Sequence, residues 1–324
     1  MTGVSTSYDI AVVGGGAVGL AVALGLGRSG ARVALLGAAE TVRDDGRTAA
    51  LMQPSVRLLD RLSIRERLAG RGFPLAAIRL IDITGGLLRA PTVTFRAAEI
   101  GLPCFAENYA NADLVRAMTA ALRETGATVS TARVTSARFE ADAARLALDD
   151  GGTMSARLVV AADGAQSPLR EAGGVGAKRW DYEQVALTLH VRHTRDHEDV
   201  STEFHTRSGP LTFVPYGDFT SSVVWLVTPR EAADLRALDP AGLAAACQRR
   251  SSSLLGDLTL TGPAGAVPMR GLIADAPVGP RLMLAGEALH VFPPVGAQGM
   301  NLGFRDATGI VEAVGDGLAR GGDP

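Results

Sequence analysis

The 324-residue chain is 47% apolar and 20% charged with a formal net charge of -2, the profile of a soluble globular protein of one large or two ordinary domains. That balance disfavours a basic nucleic-acid binder and a disordered acidic tail. Of 32 basic residues only Lys178 is a lysine, in a setting that suits neither a P-loop nor a Schiff base, and Cys104 and Cys247 are too few for a disulfide framework.

Ile10 to Gly27 is free of charge, yet no basic residue precedes it and Gly14-Gly15-Gly16 would break a spanning helix. The expectation is neither a signal peptide nor a membrane span, but a cytoplasmic protein. Tyr8 to Val13 reads as a strand, the glycines as a turn, Ala17 to Gly27 as a helix ending near Gly30, and Ala31 to Leu36 as a second buried strand. This is a βαβ unit, whose parallel sheet must be covered on both faces.

Gly14-x-Gly16-x-x-Gly19 falls between the strand and the helix that opens at Ala17, the context a dinucleotide turn requires. Gly25-x-Gly27-x-x-Gly30 matches the same spacing but follows no strand, and reads as the helix's C-terminal glycines. An acid at the end of the second strand would take the ribose hydroxyls. Here Gly37 follows the strand, so the candidate is Glu40, reaching back from the loop, with water and backbone as the other possibility.

Asn111 to Glu124 carries a helical apolar stripe, with Asn111 a good N-cap and Gly126 a stop. Thr128 to Leu148 alternates as strands, and Arg157 to Ala162 is another buried strand. Residues 182 to 228 read as antiparallel sheet, Arg230 to Arg250 as one helix, and Arg281 to Ala285 as a returning parallel strand. The expected fold is α/β: a Rossmann-like nucleotide-binding domain (1–75, 100–180, 268–324), with an inserted, mostly antiparallel β domain (76–99, 181–267). His190, His193 and His197 have helical metal-site spacing, but on a strand residues three apart face opposite sides, so no metal site is expected.

Three segments carry a resemblance. The first is the dinucleotide turn followed by Asp45-Gly46-Arg47-Thr48-Ala49-Ala50-Leu51. The second is Asp163-Gly164-Ala165-Gln166-Ser167-Pro168-Leu169-Arg170, and the third runs from Leu284 to Ala307 and reads LAGEALHVFPPVGAQGMNLGFRDA. In these the chain resembles the class A FAD-dependent aromatic hydroxylases, and is most similar to the polyprenyl-phenol hydroxylases of ubiquinone biosynthesis. Residues 182 to 265 match in strand pattern only. The resemblance makes the Rossmann-like part an FAD-binding domain of glutathione-reductase type and the inserted β domain the substrate domain.

The resemblance implies FAD held by Gly14, Gly16, Ala17, Gly19, Glu40, Arg47, Asn111, Asp163, Gly164 and Glu287, which stands where the family has aspartate. It also implies a flavin-facing loop of Pro293, Pro294 and Gly296, continuing through Gln298, Gly299, Met300 and Asn301, whose free N–H groups at a helix start would favour negative charge on reduced flavin. His290 reads as a structural hydrogen-bonder in that loop. Phe213, Pro215, Tyr216 and Trp225 would wall the substrate. The implied reaction hydroxylates a phenol, prenylated in the ubiquinone pathway, with NAD(P)H as donor and O2 as oxidant, and no nucleic acid is involved. Peripheral attachment to the inner membrane or a biosynthetic complex stays open. A non-catalytic, weakly flavin-binding assembly partner and a hydroxylase of another small aromatic are the competing readings. Family members continue past the Arg305-Asp306 segment, so the expectation is also of a shortened C-terminal region.

Overall fold

Residues 6–42, 44–86 and 89–324 are described by the computed structural model, so residues 1–5, 43, 87 and 88 of the expected domain segments lie outside it. The opening unit forms as the apolar pattern directs: β1 (Thr6–Val13), α1 (Ala17–Arg28) and β2 (Val33–Leu36), with β1 and β2 parallel in the register Ile10 to Val33 through Val13 to Leu36. Gly25 and Gly27 lie inside α1 and not after it. A Cβ on Gly25 would come within 2.5 Å of Val311, so that glycine lets a later helix pack close.

The chain continues through β3 (Thr48–Met52), α2 (Gln53–Arg61), β4 (Phe73–Leu75), β5 (Ala77–Asp82), β6 (Val93–Arg96), β7 (Ala106–Ala110) and α3 (Asn111–Glu124). Then come β8 (Thr128–Val129), β9 (Val134–Phe139), β10 (Ala144–Leu148), β11 (Thr153–Ala161) and α4 (Pro168–Ala172). The second half holds β12 (Ala177–His193), β13 (Val200–His205), β14 (Pro210–Pro215), β15 (Thr220–Val227), α5 (Pro229–Arg236), α6 (Pro240–Arg250), β16 (Leu258–Leu260) and β17 (Gly265–Ala274). It closes with β18 (Val278–Gly279), β19 (Leu282–Leu284), β20 (His290–Val291) and α7 (Gln298–Ala319).

The first sheet runs β18-β19-β11-β1-β2-β8, parallel from β19 to β8, with β10 and β9 added antiparallel beside β11. Ile10 and Val12 pack on one face against α1, α3 and α7, while Ala11 and Val13 bury into the other. The second sheet runs β20-β17-β12-β15-β14-β13-β5-β6 and is antiparallel except where β13 meets β5. A third, small sheet orders β3-β7-β4.

Two expectations change. The single helix over 230–250 is two, because Pro240 has no N–H to continue α5 and Asp239 caps a new start, accepting from Gly242 N at 2.7 Å. The boundaries at 180 and 268 fall within β12 and β17, which pair with each other on both sides of them. No helix of the described residues is long and apolar enough to cross a membrane.

Candidate active site

The turn after β1 shows three different uses of glycine. Gly14 has φ +119°, and a Cβ there would lie 2.1 Å from the Ala162 carbonyl oxygen. A Cβ on Gly19 would lie 2.0 Å from the Gly14 carbonyl oxygen, so α1 can sit on the turn only without that atom. Gly16, the residue before α1, has ordinary extended geometry and nothing within 4 Å of its Cβ position. The open space therefore faces the unpaired N–H groups of the first turn of α1, beginning at buried Ala17, where no side chain caps them. Glu40 is exposed in the loop after β2.

The second segment abuts this turn. Leu169 N donates to Asp163 Oδ2 at 3.4 Å, and Asp163 Oδ1 is buried without a partner. Gly164 follows with open space at its Cβ position. Ser167 caps α4 by accepting from Arg170 N at 3.0 Å. Arg170 is fully buried, donating to the Ala288 carbonyl at 2.7 Å and the Ala165 carbonyl at 3.0 Å, so it ties the second segment to the third and has no contact to offer a ligand.

Burial pushes the Asp163 carboxyl above its ordinary range. The folded chain then holds that proton more tightly than the unfolded chain, so stability declines as pH rises and the carboxyl ionises. Asp163→Asn is expected to raise the thermal midpoint at pH 7, with a smaller gain at pH 4, while weakening FAD binding. Melting curves at both pH values and a flavin titration check this.

In the third segment Asp306, on α7, organises the loop: its Oδ2 accepts from Gly286 N at 2.9 Å and from His290 Nε2 at 2.8 Å. In the sequence Asp306 stands out only as a member of the Arg305-Asp306 motif, and its bond to a turn 20 residues upstream carries no local signal. Glu287 is exposed toward the cavity described below. After Pro293 and Pro294, Gly296 and Ala297 take left-handed φ of 61° and 55°, turning the chain into α7. Gln298 donates to the Gly296 carbonyl at 3.2 Å, Gly299 is open, and Met300 packs on the core. Asn301 directs its side chain inward: Oδ1 accepts from Met52 N at 2.8 Å and Ser55 Oγ at 2.6 Å, and Nδ2 donates to the Ala50 and Ala297 carbonyls at 2.9 and 2.7 Å. Only its backbone is left for a ligand.

A cavity of about 800 Å3 joins these segments to the second sheet. Arg47, Asn111, Glu287 and Pro294 line one side; Thr188, His190, Ser222, Val224, Met269 and Trp180 line the other. Arg47 is held by Asp45 at 2.7 Å, an exposed pair that costs little to exchange for an anion. The ring of His190 donates to the Gly46 carbonyl, fastening that loop to β12. Asn111 is the first residue of α3 and not its cap, which is Ala110. Its Oδ1 is buried and unpartnered.

The expected substrate wall needs correction. Phe213 and Trp225 are 1% and 2% exposed and point to the sheet's other face, where Leu243, Ala244 and Cys247 of α6 cover them. Pro215 is buried, its carbonyl accepting from Asn108, and Tyr216 packs edge-on between His190 and Phe73. The alternate residues face the cavity. Trp180 was missed; a Cβ on Gly271 would lie 2.1 Å from its ring, so that glycine seats the indole against β17. His190 lines the cavity while buried His193 bonds Ser221 Oγ at 3.1 Å.

An open helix N-terminus for phosphates and two orphaned buried oxygens, on Asp163 and Asn111, fit FAD. With the adjoining cavity they define a flavoprotein hydroxylase. The FAD binding domain family matches residues 7–319, and the chain belongs to it. It is 32% identical to ubiquinone hydroxylase UbiL of Rhodospirillum rubrum over 98% of this chain and 74% of that protein. It is also 32% identical to the 3-demethoxyubiquinol 3-hydroxylase of Escherichia coli, over 94% and 79%. Among solved structures, PqsL of Pseudomonas aeruginosa with 2-aminobenzoylacetate has a TM-score of 0.82 at 22% identity, covering 97% of this chain and 88% of that one. The p-nitrophenol 4-monooxygenase PnpA of Pseudomonas putida has a TM-score of 0.79 at 21% identity, covering 98% and 82%. These two likenesses speak for the fold.

Proposed function

We propose that the protein hydroxylates a prenylated phenol of ubiquinone biosynthesis, using NAD(P)H and O2. The observation that carries this is the cavity, which brings Asn111, Glu287 and Pro294 of the flavin segments against the largely apolar wall of β12, β15 and β17. FAD bound there supplies electron uptake from NAD(P)H and activation of O2 for transfer of one oxygen atom to the ring.

The chain's own contribution is position and exclusion of water. The first turn of α1 and Gly16 would hold the pyrophosphate, and Asp163, Asn111, Arg47 and Glu287 the ribitol and ring edge. Glu40 would take the ribose from the loop. The turn at Gly296 and Ala297 would place backbone N–H groups at the flavin. Val224, Met269 and Trp180 keep one cavity wall dry, which protects the oxygen-transfer step from water. Val267 and Phe292, 46% and 40% exposed, flank the cavity and would receive a prenyl tail, bringing this mouth to a membrane surface.

The purified protein is expected to be yellow, and to oxidise NAD(P)H faster when a 2-prenylphenol is present. Its product should carry one atom from 18O2. A colourless protein that takes up no FAD, or one that yields no oxygenated product from a series of prenylphenols, overturns the proposal.

A further inference from the structure

Ser222 on β15 lines the cavity directly across the ladder from His190 and is only 6% exposed. Its Oγ accepts twice, from Thr48 Oγ1 at 3.0 Å and from Asn108 Nδ2 at 3.2 Å. The orientation of the Asn108 amide is set independently, because the same Nδ2 donates to the Pro215 carbonyl at 2.9 Å. A serine hydroxyl has two lone pairs and one proton. Both lone pairs are engaged here, and among the described residues nothing accepts the proton. The remaining direction is the cavity.

We infer that Ser222 is a substrate-binding residue, its O–H donating to an oxygen on the substrate's aromatic ring, with Thr48 and Asn108 as positioning residues. This rests on the aromatic-hydroxylase reading of the cavity. The neighbours Val224 and Met269 are apolar and the next hydroxyl on this wall is Thr188, opposite Val224, so the Ser222 donor favours a largely apolar ring that bears an acceptor at its position. A ring without that oxygen would leave a desolvated donor unpaired, which costs more than the bond itself gains. Asn108 is completely buried with Oδ1 unpartnered, and Thr48 follows Arg47 directly. Thr48 therefore ties the orientation of the bound ring to the flavin-contacting loop.

The test measures binding of 2-propylphenol and of propylbenzene to the FAD-loaded full chain by isothermal calorimetry, for the unaltered protein, Ser222→Ala and Ser222→Thr. Ser222→Ala is expected to weaken 2-propylphenol roughly tenfold, the worth of one neutral hydrogen bond, and to bind propylbenzene somewhat more tightly, since no donor is then stranded beneath that ring. Ser222→Thr is expected to restore the preference for the phenol. Equal loss for both probes, no loss for either, or an unaltered protein indifferent to the ring oxygen overturns the inference. Product analysis with 2-propylphenol is read separately: an oxygen preference that depends on Ser222, without any hydroxylated product, supports the binding role and counts against the hydroxylase reading alone.

Discussion

Arg170→Ala is expected to lower stability by about 3 kcal/mol and to release FAD, seen as a fall in thermal midpoint and loss of flavin colour after gel filtration. Two terms oppose each other. The guanidinium is fully buried, and burial pulls its pKa below the ordinary value, so alanine relieves a desolvation cost. Against that stand two charge-assisted hydrogen bonds to the Ala288 and Ala165 carbonyls, each worth roughly 1.5–3 kcal/mol, and the void left by one of the largest fully buried side chains. The losses dominate because the Ala288 carbonyl stays buried without a donor and the void is not refilled, whereas the half-buried Ala165 carbonyl can turn to solvent. Arg170→Lys separates charge from geometry: one ammonium cannot fork to two carbonyls on different segments, so it should recover only part of the stability. An Arg170→Ala protein that melts with the parent and stays yellow would show that the two segments are held by other contacts.

Gly16→Ala and Gly19→Ala are expected to give opposite combinations of effects. A Cβ at Gly16 meets no protein atom and its backbone is in a conformation alanine adopts freely, so the variant should melt with the parent. It should nevertheless lose roughly a hundredfold in FAD affinity, about 2.7 kcal/mol, because the methyl stands where the phosphates would lie. At Gly19 the methyl would sit 2.0 Å from the Gly14 carbonyl oxygen, displacing α1 from its turn, so both melting point and FAD affinity should fall. Flavin fluorescence titration with melting curves checks the pair; a Gly16→Ala protein with parental FAD affinity would remove the phosphates from this turn.

How much of this was legible in the sequence follows from which interactions are local. The strand, glycine turn and helix from Thr6 to Arg28 and the helix from Asn111 to Glu124 are set by short-range periodicity and stop signals, and they stand where the pattern put them. Pro240 is a local signal too: its missing N–H divides the stretch 230–250, expected as one helix, into two. The substrate wall was misread for another reason. In β15, Val223 and Trp225 alternate with Ser222 and Val224, and both sets are apolar enough to face a core. Which set meets α6 and which the cavity depends on where those helices dock, which strand alternation does not encode. Asp306 and Arg170 were recognised as motif members, while their tasks, holding a turn 20 residues upstream and a carbonyl 118 residues downstream, exist only in the folded chain.

The cradle draws its parts from residues 14–19, 163–170 and 286–306, and β1 pairs with β11 across more than a hundred residues of intervening chain. During synthesis the apolar surface of α1 that α7 covers must wait until residues 298–319 are made. Parallel pairing over such distances is slow to form and exposes sticky surface meanwhile. FAD bound across the same three segments, as proposed, would act as a folding ligand as well as a reagent: cells short of riboflavin should accumulate less of this protein, and not only more of its inactive form.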